Sequence, residues 1–309
     1  MDEKRDSVAS EAFGLQELEP SPVDETPFDN ESSYFPPSSS SDRPPPILSR
    51  STNLGLGSHG PVFYLTRLQK YSSYAFTLFT AAHLTNTAII PLFTRSVHRA
   101  DNYLLLTRPY YQSFPLEAIV VAAPLTIHIL SGLTLRLYRR REIAKRYGAE
   151  THSQRRRIPW PKLSGTSALG LALVPLVGAH AFVNRILTLW QEGGNANIGL
   201  EYVAHGFARH PLASFAVYVP LLGVMSWHVV WGWARWLGWS PAQVTQGGYD
   251  GQISRKRRWY AVNAISAGLA VLWLAGGLGV VGRGGPSQGW LAKEYDGLFS
   301  RIPIFGPWL

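Results

Sequence analysis

Five long apolar segments constrain this chain more than any other feature of its sequence. A helix needs roughly 20 mostly apolar residues to cross the hydrocarbon core of a bilayer. Segments of this length and character lie at about 71–93, 116–137, 165–189, 213–237 and 259–281. The sequence therefore predicts an all-α membrane protein in which five transmembrane helices lie within a domain spanning residues 63–285.

The first 62 residues differ sharply in composition from the rest of the chain. They are polar, acidic and rich in Pro and Ser, and such segments bury too little apolar surface to fold. Residues 1–62 are therefore predicted to be a disordered tail, and residues 286–309 a short C-terminal tail. The acidic start has neither the apolar stretch of a secretory signal nor the arginines of a matrix presequence, so we expect insertion to depend on the internal spans.

The formal net charge of +9 is concentrated in two loops, 138–163 and 238–258. By the positive-inside bias, both loops and the N-terminal tail face the cytosol, and the C-terminus lies across the membrane. Basic residues beside spans are expected to contact anionic lipid headgroups. They accompany no nucleic-acid-binding fold pattern, so no nucleic-acid partner is predicted. The chain has no cysteine, which excludes disulfides and thiolate metal sites.

Two pairs of apolar segments read alike, and every one of the four contains a histidine. The first two histidines are 45 residues apart and the last two are 48 residues apart. They are His83, His128, His180 and His228. An ionisable side chain at bilayer depth is costly and marks a site by default. The pattern predicts a duplicated two-helix repeat whose halves are related by an axis along the membrane normal, so that equivalent histidines face each other.

Two facing neutral imidazoles can ligate a haem iron from both sides. Gly132 and Gly232 follow His128 and His228 by four residues, on the same helical face, where a missing side chain leaves room for a flat macrocycle. The four histidines and two glycines are thus the candidate cofactor-binding residues, and haem b is the candidate cofactor. The alternative is that each histidine only hydrogen-bonds a neighbouring helix. No metal other than haem iron is predicted, because no carboxylate or thiolate lies beside the histidines.

Other polar residues carry weaker expectations. Glu117 opens the second span and is interpreted as a helix-start charge. The chain contains no nucleophile elbow, phosphate loop or dinucleotide fingerprint, so no enzymatic activity is predicted. The remaining histidines lie in the tail or in loops and are expected to be solvated or interfacial: His59, His98, His152, His205 and His210.

The tail contains a proline motif, Pro44-Pro-Pro46-Ile47-Leu48. Prolines at i and i+2 favour an extended backbone that docks in a groove or along a strand edge, where Ile47 and Leu48 would fill pockets. The alternative is a solvated spacer, because this composition is common in disordered tails.

Two stretches carry a resemblance to a known family. Leu65-Thr-Arg-Leu-Gln-Lys-Tyr-Ser-Ser-Tyr74, continued by Thr80-Ala-Ala-His83, and Pro124-Leu-Thr-Ile-His128-Ile-Leu-Ser-Gly132 resemble the fungal Mcp mitochondrial adaptor family over about residues 60–285. The resemblance implies a multi-pass protein of the mitochondrial outer membrane that acts in lipid homeostasis at membrane contact sites. It also implies that a proline motif in the cytosolic tail recruits a bridge-like lipid-transfer protein of the vacuolar-protein-sorting class.

By that resemblance, Pro44 and Pro46, with Ile47 and Leu48, are the candidate partner-binding residues, and Pro20-Ser-Pro22 is a second fit to the motif. The membrane domain also looks like the cytochrome b anchor subunits of succinate dehydrogenase and fumarate reductase. Those subunits hold haem with a His-x-x-x-Gly pattern, although their Ser-x-x-x-Arg quinone pattern is not clear in this chain. This second resemblance implies an alternative function, a b-type haem-binding membrane protein with a redox or structural haem.

Overall fold

The structure is a computed structural model that describes residues 60–302. Residues 1–59 of the predicted disordered tail, with Pro44, Pro46, Ile47 and Leu48, lie outside the described residues. The chain divides into two units between Leu65 and Thr66. Residues 60–65 are the described part of the first unit, and the first helix begins there at Pro61.

The described residues are helical and contain no strand. Five helices are long and apolar enough to cross a membrane. They are α1 (Pro61–Thr94), α4 (Glu117–Arg146), α6 (Gly165–Glu192), α8 (Pro211–Trp236) and α9 (Gly248–Trp273). Shorter helices connect or follow them: α2 (Val97–Thr107), α3 (Pro109–Gln112), α5 (His152–Arg157), α7 (Leu200–Arg209) and α10 (Gly289–Ser300). The predicted all-α fold with five spans is confirmed, and the chain is a multi-pass membrane protein.

Large apolar side chains on the spanning helices are exposed. Leu78 on α1, Leu130 on α4 and Val271 on α9 each expose more than half of their surface, at 74%, 56% and 65%. A helix surface of this kind is stable only against lipid or another apolar partner, as expected for spans that face acyl chains.

The duplication is visible in the backbone as well as in the sequence. In α1, His83 is followed by a π-helical turn at Thr85–Ile89, and in α6, His180 is followed by one at Phe182–Ile186. Each turn is five residues long and begins two residues after its histidine. Because π-helical turns are rare and concentrate at functional sites, their occurrence at the same place in both halves supports a shared structural frame.

The segments that follow α1, α6 and α9 meet on one side of the spans and form a helical cap of α2, α7 and α10. Two clusters of buried residues hold the cap together: Ala100, Leu104, Leu200, Ala204 and Val281 in one, and Ile198, Tyr202, Tyr295, Leu298 and Phe299 in the other. The sequence predicted only a loop before α8 and a short tail after residue 285. Each of these two segments contains a helix, α7 in the first and α10 in the second. Neither helix is long enough to span a bilayer, but each has an apolar face that packs into the cap.

Two polar side chains of the α2 region fix the start of α7 through three hydrogen bonds. The Arg108 guanidinium donates to the Ile198 carbonyl at 2.8 Å and to the Asn195 carbonyl at 2.7 Å. The Asp101 carboxylate accepts from the Leu200 N–H at 2.8 Å, so it satisfies a backbone donor at the helix start that would otherwise lack a partner. Burial raises the pKa of Asp101 and lowers the pKa of Arg108.

His205 joins α7 to α10. Its side chain is 1% exposed, so the expectation that it is solvated is wrong, because α10 covers this face of α7. The Ser287 N–H donates to His205 Nδ1 at 3.1 Å, which leaves the ring proton on Nε2. His205 Nε2 then donates to the Asp296 carboxylate at 3.0 Å, and Arg209 Nε donates to the same oxygen at 3.1 Å.

These contacts predict that the cap loosens in acid. Burial alone would raise the pKa of Asp296, but hydrogen bonds from His205 and Arg209 outweigh it and hold the pKa below its ordinary value. A carboxyl group with a lowered pKa stabilises the fold above its unfolded pKa, and this stabilisation disappears as the pH falls through the folded pKa. We therefore expect the melting temperature of the detergent-solubilised protein to fall below about pH 4. Asp296→Asn should show a smaller fall over this range, and an equal fall would contradict the assignment.

Candidate functional site

The structure brings the four span histidines together as two pairs. The His83 pair joins His83 on α1 to His180 on α6, with ring centres 5.9 Å apart. The His128 pair joins His128 on α4 to His228 on α8, with ring centres 6.0 Å apart. The two rings of each pair are steeply inclined, at 74° and 77°. In both pairs, each histidine lies beside its equivalent in the other repeat.

Backbone carbonyls orient both rings of the His128 pair. His128 Nδ1 lies 3.1 Å from the Gln69 carbonyl oxygen, and His228 Nδ1 lies 3.0 Å from the Thr166 carbonyl oxygen. A carbonyl can only accept a hydrogen bond, so each neutral ring carries its proton on Nδ1 and has a free lone pair on Nε2. Histidines that ligate metals are commonly fixed in this way by a hydrogen bond to the other ring nitrogen.

The His83 pair lies in a more aromatic environment. The His83 ring stacks on Phe79 with centres 5.5 Å apart, and Tyr218 meets the His180 ring edge-on at 5.6 Å. The Asn184 side-chain amide donates to the His180 carbonyl at 2.8 Å and lies 3.4 Å from His180 Nδ1. The amide nitrogen can only donate, so His180 Nδ1 accepts in this contact, whereas Nδ1 of each ring in the His128 pair donates to a carbonyl.

The glycines near the His128 pair have unequal surroundings. A Cβ at Gly232 would meet nothing within 4 Å, so space remains beside His228, whereas a Cβ at Gly132 would lie 2.8 Å from the Gln69 side-chain amide. The room expected at Gly132 is therefore taken by the end of a flexible side chain. Sequence analysis missed Gly170, where a Cβ would lie 2.8 Å from His228 Cε1. An isolated glycine in an apolar helix carries no signal of such a contact.

The two pairs lie at different depths along the bundle. His128 contacts Gln69, and His83 lies 14 residues after Gln69 on α1. At 1.5 Å of rise per residue, this separates the two levels by roughly 21 Å. The His128 pair is nearer the end of α1 that carries Lys70, and the His83 pair is nearer the helical cap.

Each pair offers a metal two imidazoles. No group of three or more His, Cys, Asp or Glu side chains suited to a metal ion occurs between residues 60 and 302. A structural zinc ion takes four protein ligands, so a bare zinc ion does not suit either pair. Haem iron needs only axial ligands from the protein, because the macrocycle supplies the others. In the His128 pair, the two imidazoles and their free Nε2 atoms therefore fit haem better than a bare metal ion.

Glu117, the first residue of α4, forms an ion pair with Arg185 of α6. Its carboxylate accepts from Arg185 Nε of α6 at 2.6 Å and also accepts from Arg185 Nη2. Arg185 lies five residues after His180, at the cap end of the spans. The pair joins the two repeats through charges, and nothing in the local sequence of either residue indicates its partner.

On the opposite side, the basic loop after α4 folds back on the helix. The Arg140 guanidinium lies 3.9 Å from the centre of the Trp160 ring, within range of a cation–π contact. Arg140 also donates to the carbonyls of Ile158 and Arg155, at 3.3 and 3.1 Å. These contacts hold the arginine-rich loop beside the end of the span.

A family model described as the transmembrane domain of MDM10-complementing protein 1 matches residues 175–286. The matched residues include His180 and His228 and run from Pro175 within α6 past the end of α9. The predicted resemblance to the Mcp family is confirmed by this match, whereas the resemblance to cytochrome b anchors rests only on the residues that suggested it. No curated protein and no solved structure matches the chain.

Proposed function

We propose that this multi-pass protein is an adaptor of the mitochondrial outer membrane that acts in lipid homeostasis. In this proposal the five spans are the anchor, and the N-terminal tail recruits a bridge-like lipid-transfer protein of the vacuolar-protein-sorting class. The observation that carries the proposal is the match of residues 175–286 to the MDM10-complementing transmembrane domain. Tethering raises the local concentration of a partner without chemistry, so the role requires no catalytic group.

The charge distribution supports a cytosolic N-terminus. Of the nine acidic residues between positions 60 and 302, three lie on the side of the basic loops: Glu142, Glu150 and Asp250. On the cap side, acidic side chains contact basic ones, as in the pairs of Asp296 with Arg209 and of Glu117 with Arg185. The unbalanced positive charge thus lies at the Lys70 end of α1, which the positive-inside bias assigns to the cytosol.

The tail motif is tested by Pro44→Ala combined with Pro46→Ala. Alanine removes the ring that restricts the backbone to an extended form, so we expect the fluorescently tagged partner to leave mitochondria while the anchor stays in place. The matched control is Pro20→Ala with Pro22→Ala, which is expected to retain the partner. Loss of the partner only in the control would move the site to residues 20–22. Recruitment that survives both double changes would refute the tail proposal.

A second candidate function is favoured by the free Nε2 atoms and the short ring separation of the His128 pair. This is a b-type haem-binding membrane protein, in which His128 and His228 would hold the haem iron. A haem bound there would supply a one-electron couple or a structural cross-link between the repeats. An absorption spectrum of the protein purified in detergent tests the candidate, with a Soret band as the expected result.

A further inference from the structure

We propose that a cavity at the cap end of α4 and α6 binds the headgroup of a membrane phospholipid that carries a phosphate and a primary ammonium group, as phosphatidylethanolamine does. The cavity has a volume of about 370 Å³, within the range of small-molecule sites. Its lining residues are Gln112, Phe114, Glu117, Ala118, Ala122 and Arg185. The site uses neither the N-terminal tail nor the histidine pairs, so it is independent of the adaptor and haem functions.

The cavity lies at the depth where the hydrocarbon core of the bilayer ends. Glu117 begins α4, and the first arginine along this helix is Arg136, 19 residues later. At 1.5 Å of rise per residue, the two charges are separated by roughly 29 Å, close to the thickness of the hydrocarbon core, roughly 30 Å. In α6, Arg185 follows the first residue, Gly165, by 20 residues, again roughly 30 Å. The ion pair therefore lies at the level of the lipid headgroups on the cap side.

The cavity opens toward lipid. Phe114, Ala118 and Ala122 are all exposed, and the small side chains of the two alanines, four residues apart on α4, leave room between the helices. Ile119 and Ile186 are each adjacent in sequence to a lining residue and expose 61% and 52% of their surface. These side chains offer apolar surface to the acyl chains of a lipid whose headgroup enters the cavity.

Arg185 and Gln112 have donors left for a phosphate. Arg185 Nε and Nη2 donate to the Glu117 carboxylate, whereas Nη1 has no hydrogen-bond partner among the described residues. The Gln112 side-chain oxygen accepts from Arg108 Nε at 2.6 Å, and its amide nitrogen has no partner between residues 60 and 302. Guanidinium groups are well suited to phosphate, so these free N–H groups predict that the phosphate binds beside Arg185.

Glu117 supplies the complementary charge for an ammonium group. Each of its carboxylate oxygens accepts one hydrogen bond from Arg185 and retains a lone pair, and the side chain is 31% exposed. A primary ammonium group has three N–H donors for these lone pairs, whereas the quaternary ammonium of choline has none. Choline is bound instead by cages of aromatic rings, and Phe114 is the one aromatic residue in the lining.

The charges of the lining also disfavour an anionic headgroup. Glu117 and Arg185 together carry no net charge, so a zwitterion leaves both of its charges paired in the site. A headgroup without an ammonium group would bring an unpaired negative charge close to the Glu117 carboxylate, which is unfavourable where little water is present. The pair therefore matches an ethanolamine phospholipid better than an acidic one.

Two π-helical turns form the walls of the cavity. Glu117–Ala122 contributes three lining residues from α4, and Phe182–Ile186 contributes Arg185 from α6. The duplication accounts for the turn in α6, which recurs in α1. It does not account for the turn in α4, because the equivalent helix, α8, is α-helical throughout Pro211–Trp236. Since such turns concentrate at functional sites, the turn in α4 supports a role for the cavity that is specific to one repeat.

Native mass spectrometry of the full-length protein in detergent tests the proposal. The probes are dioleoyl phosphatidylethanolamine and dioleoyl phosphatidylcholine, which share their acyl chains and differ only in the headgroup. We expect the ethanolamine lipid to bind about tenfold more tightly, the effect of one hydrogen bond between charged groups. Excess inorganic phosphate should not displace it, because free phosphate has neither the ammonium group nor the acyl chains.

Two altered chains test the position of the site. Glu117→Leu combined with Arg185→Leu removes both charges and leaves an apolar pair between α4 and α6, so we expect the two lipids to bind equally. Ala122→Leu keeps the ion pair and fills the cavity, and should weaken binding of the ethanolamine lipid at least tenfold. The matched control is Ala123→Leu, because Ala123 is also exposed but does not line the cavity. Melting temperatures report whether each variant folds.

The contrary outcomes are distinct. Equal binding of the two lipids to the unaltered chain would overturn the choice of headgroup, and displacement by inorganic phosphate would show that the ligand is not a lipid. A preference for the ethanolamine lipid that persists in folded Ala122→Leu would place the lipid outside this cavity, as would an equal loss in Ala123→Leu.

Discussion

Replacing Glu117 with Leu is expected to lower the free energy of unfolding by about 3 kcal/mol, because it leaves Arg185 as an unpaired charge at the end of a span. The two side chains are 22% and 31% exposed, so the value lies at the lower end of what breaking a buried ion pair costs. Replacing Arg185 with Leu as well should restore most of the loss, since an apolar pair leaves no uncompensated charge.

Unfolding in mixed micelles with increasing denaturing detergent would measure both variants. The matched control is Glu142→Leu, which removes the partner of Lys145 at 2.9 Å on the opposite side of the membrane domain. That ion pair is mostly exposed, with side chains 75% and 35% accessible, and its loss should leave stability nearly unchanged. A double variant no more stable than Glu117→Leu alone would show that charge pairing is not what joins α4 to α6.

The spans and the pairing of equivalent histidines could be predicted, because both follow from local patterns that are repeated along the chain. A run of about 20 apolar residues has one common structural outcome. The similar spacings from His83 to His180 and from His128 to His228, 97 and 100 residues, predict that equivalent rings lie together. The ring contacts show this placement for both pairs. Haem binding is a separate matter and stays a prediction.

The helical cap and the partners of its charges could not be read from the sequence. The helix α7 has only ten residues, so its apolar face does not register as a span. Asp101 accepts the backbone hydrogen bond of Leu200 at the start of that helix, 99 positions along the chain. His205 is buried by α10, whose Asp296 lies 91 positions after it. Such contacts depend on which spans are neighbours, and a single sequence gives no measure of this.

Close contacts between helix backbones also depend on which spans are neighbours. One such contact, at Gly276, gives the second large expected loss of stability. The π-helical turn Leu274–Leu278, which continues α9, meets the turn Thr85–Ile89 of α1. A Cβ at Gly276 would lie 2.0 Å from the Ala88 carbonyl oxygen and 2.5 Å from its carbonyl carbon. Backbone atoms cannot yield as the end of a side chain can, so the two helices would have to separate.

We expect Gly276→Ala to lower the free energy of unfolding by about 3 kcal/mol, the upper part of the range for overpacking. Small residues allow helix backbones in membranes to approach closely, and the contact anchors the buried cluster of Ala88, Leu222 and Trp273. The matched control is Gly268→Ala on α9, where a Cβ meets nothing within 4 Å and the greater helix propensity of alanine should stabilise the protein slightly. Melting temperatures in detergent would compare the two variants. Equal values would mean that α1 and α9 do not meet through Gly276, whereas a large loss confined to Gly276→Ala would place the fifth span against the first.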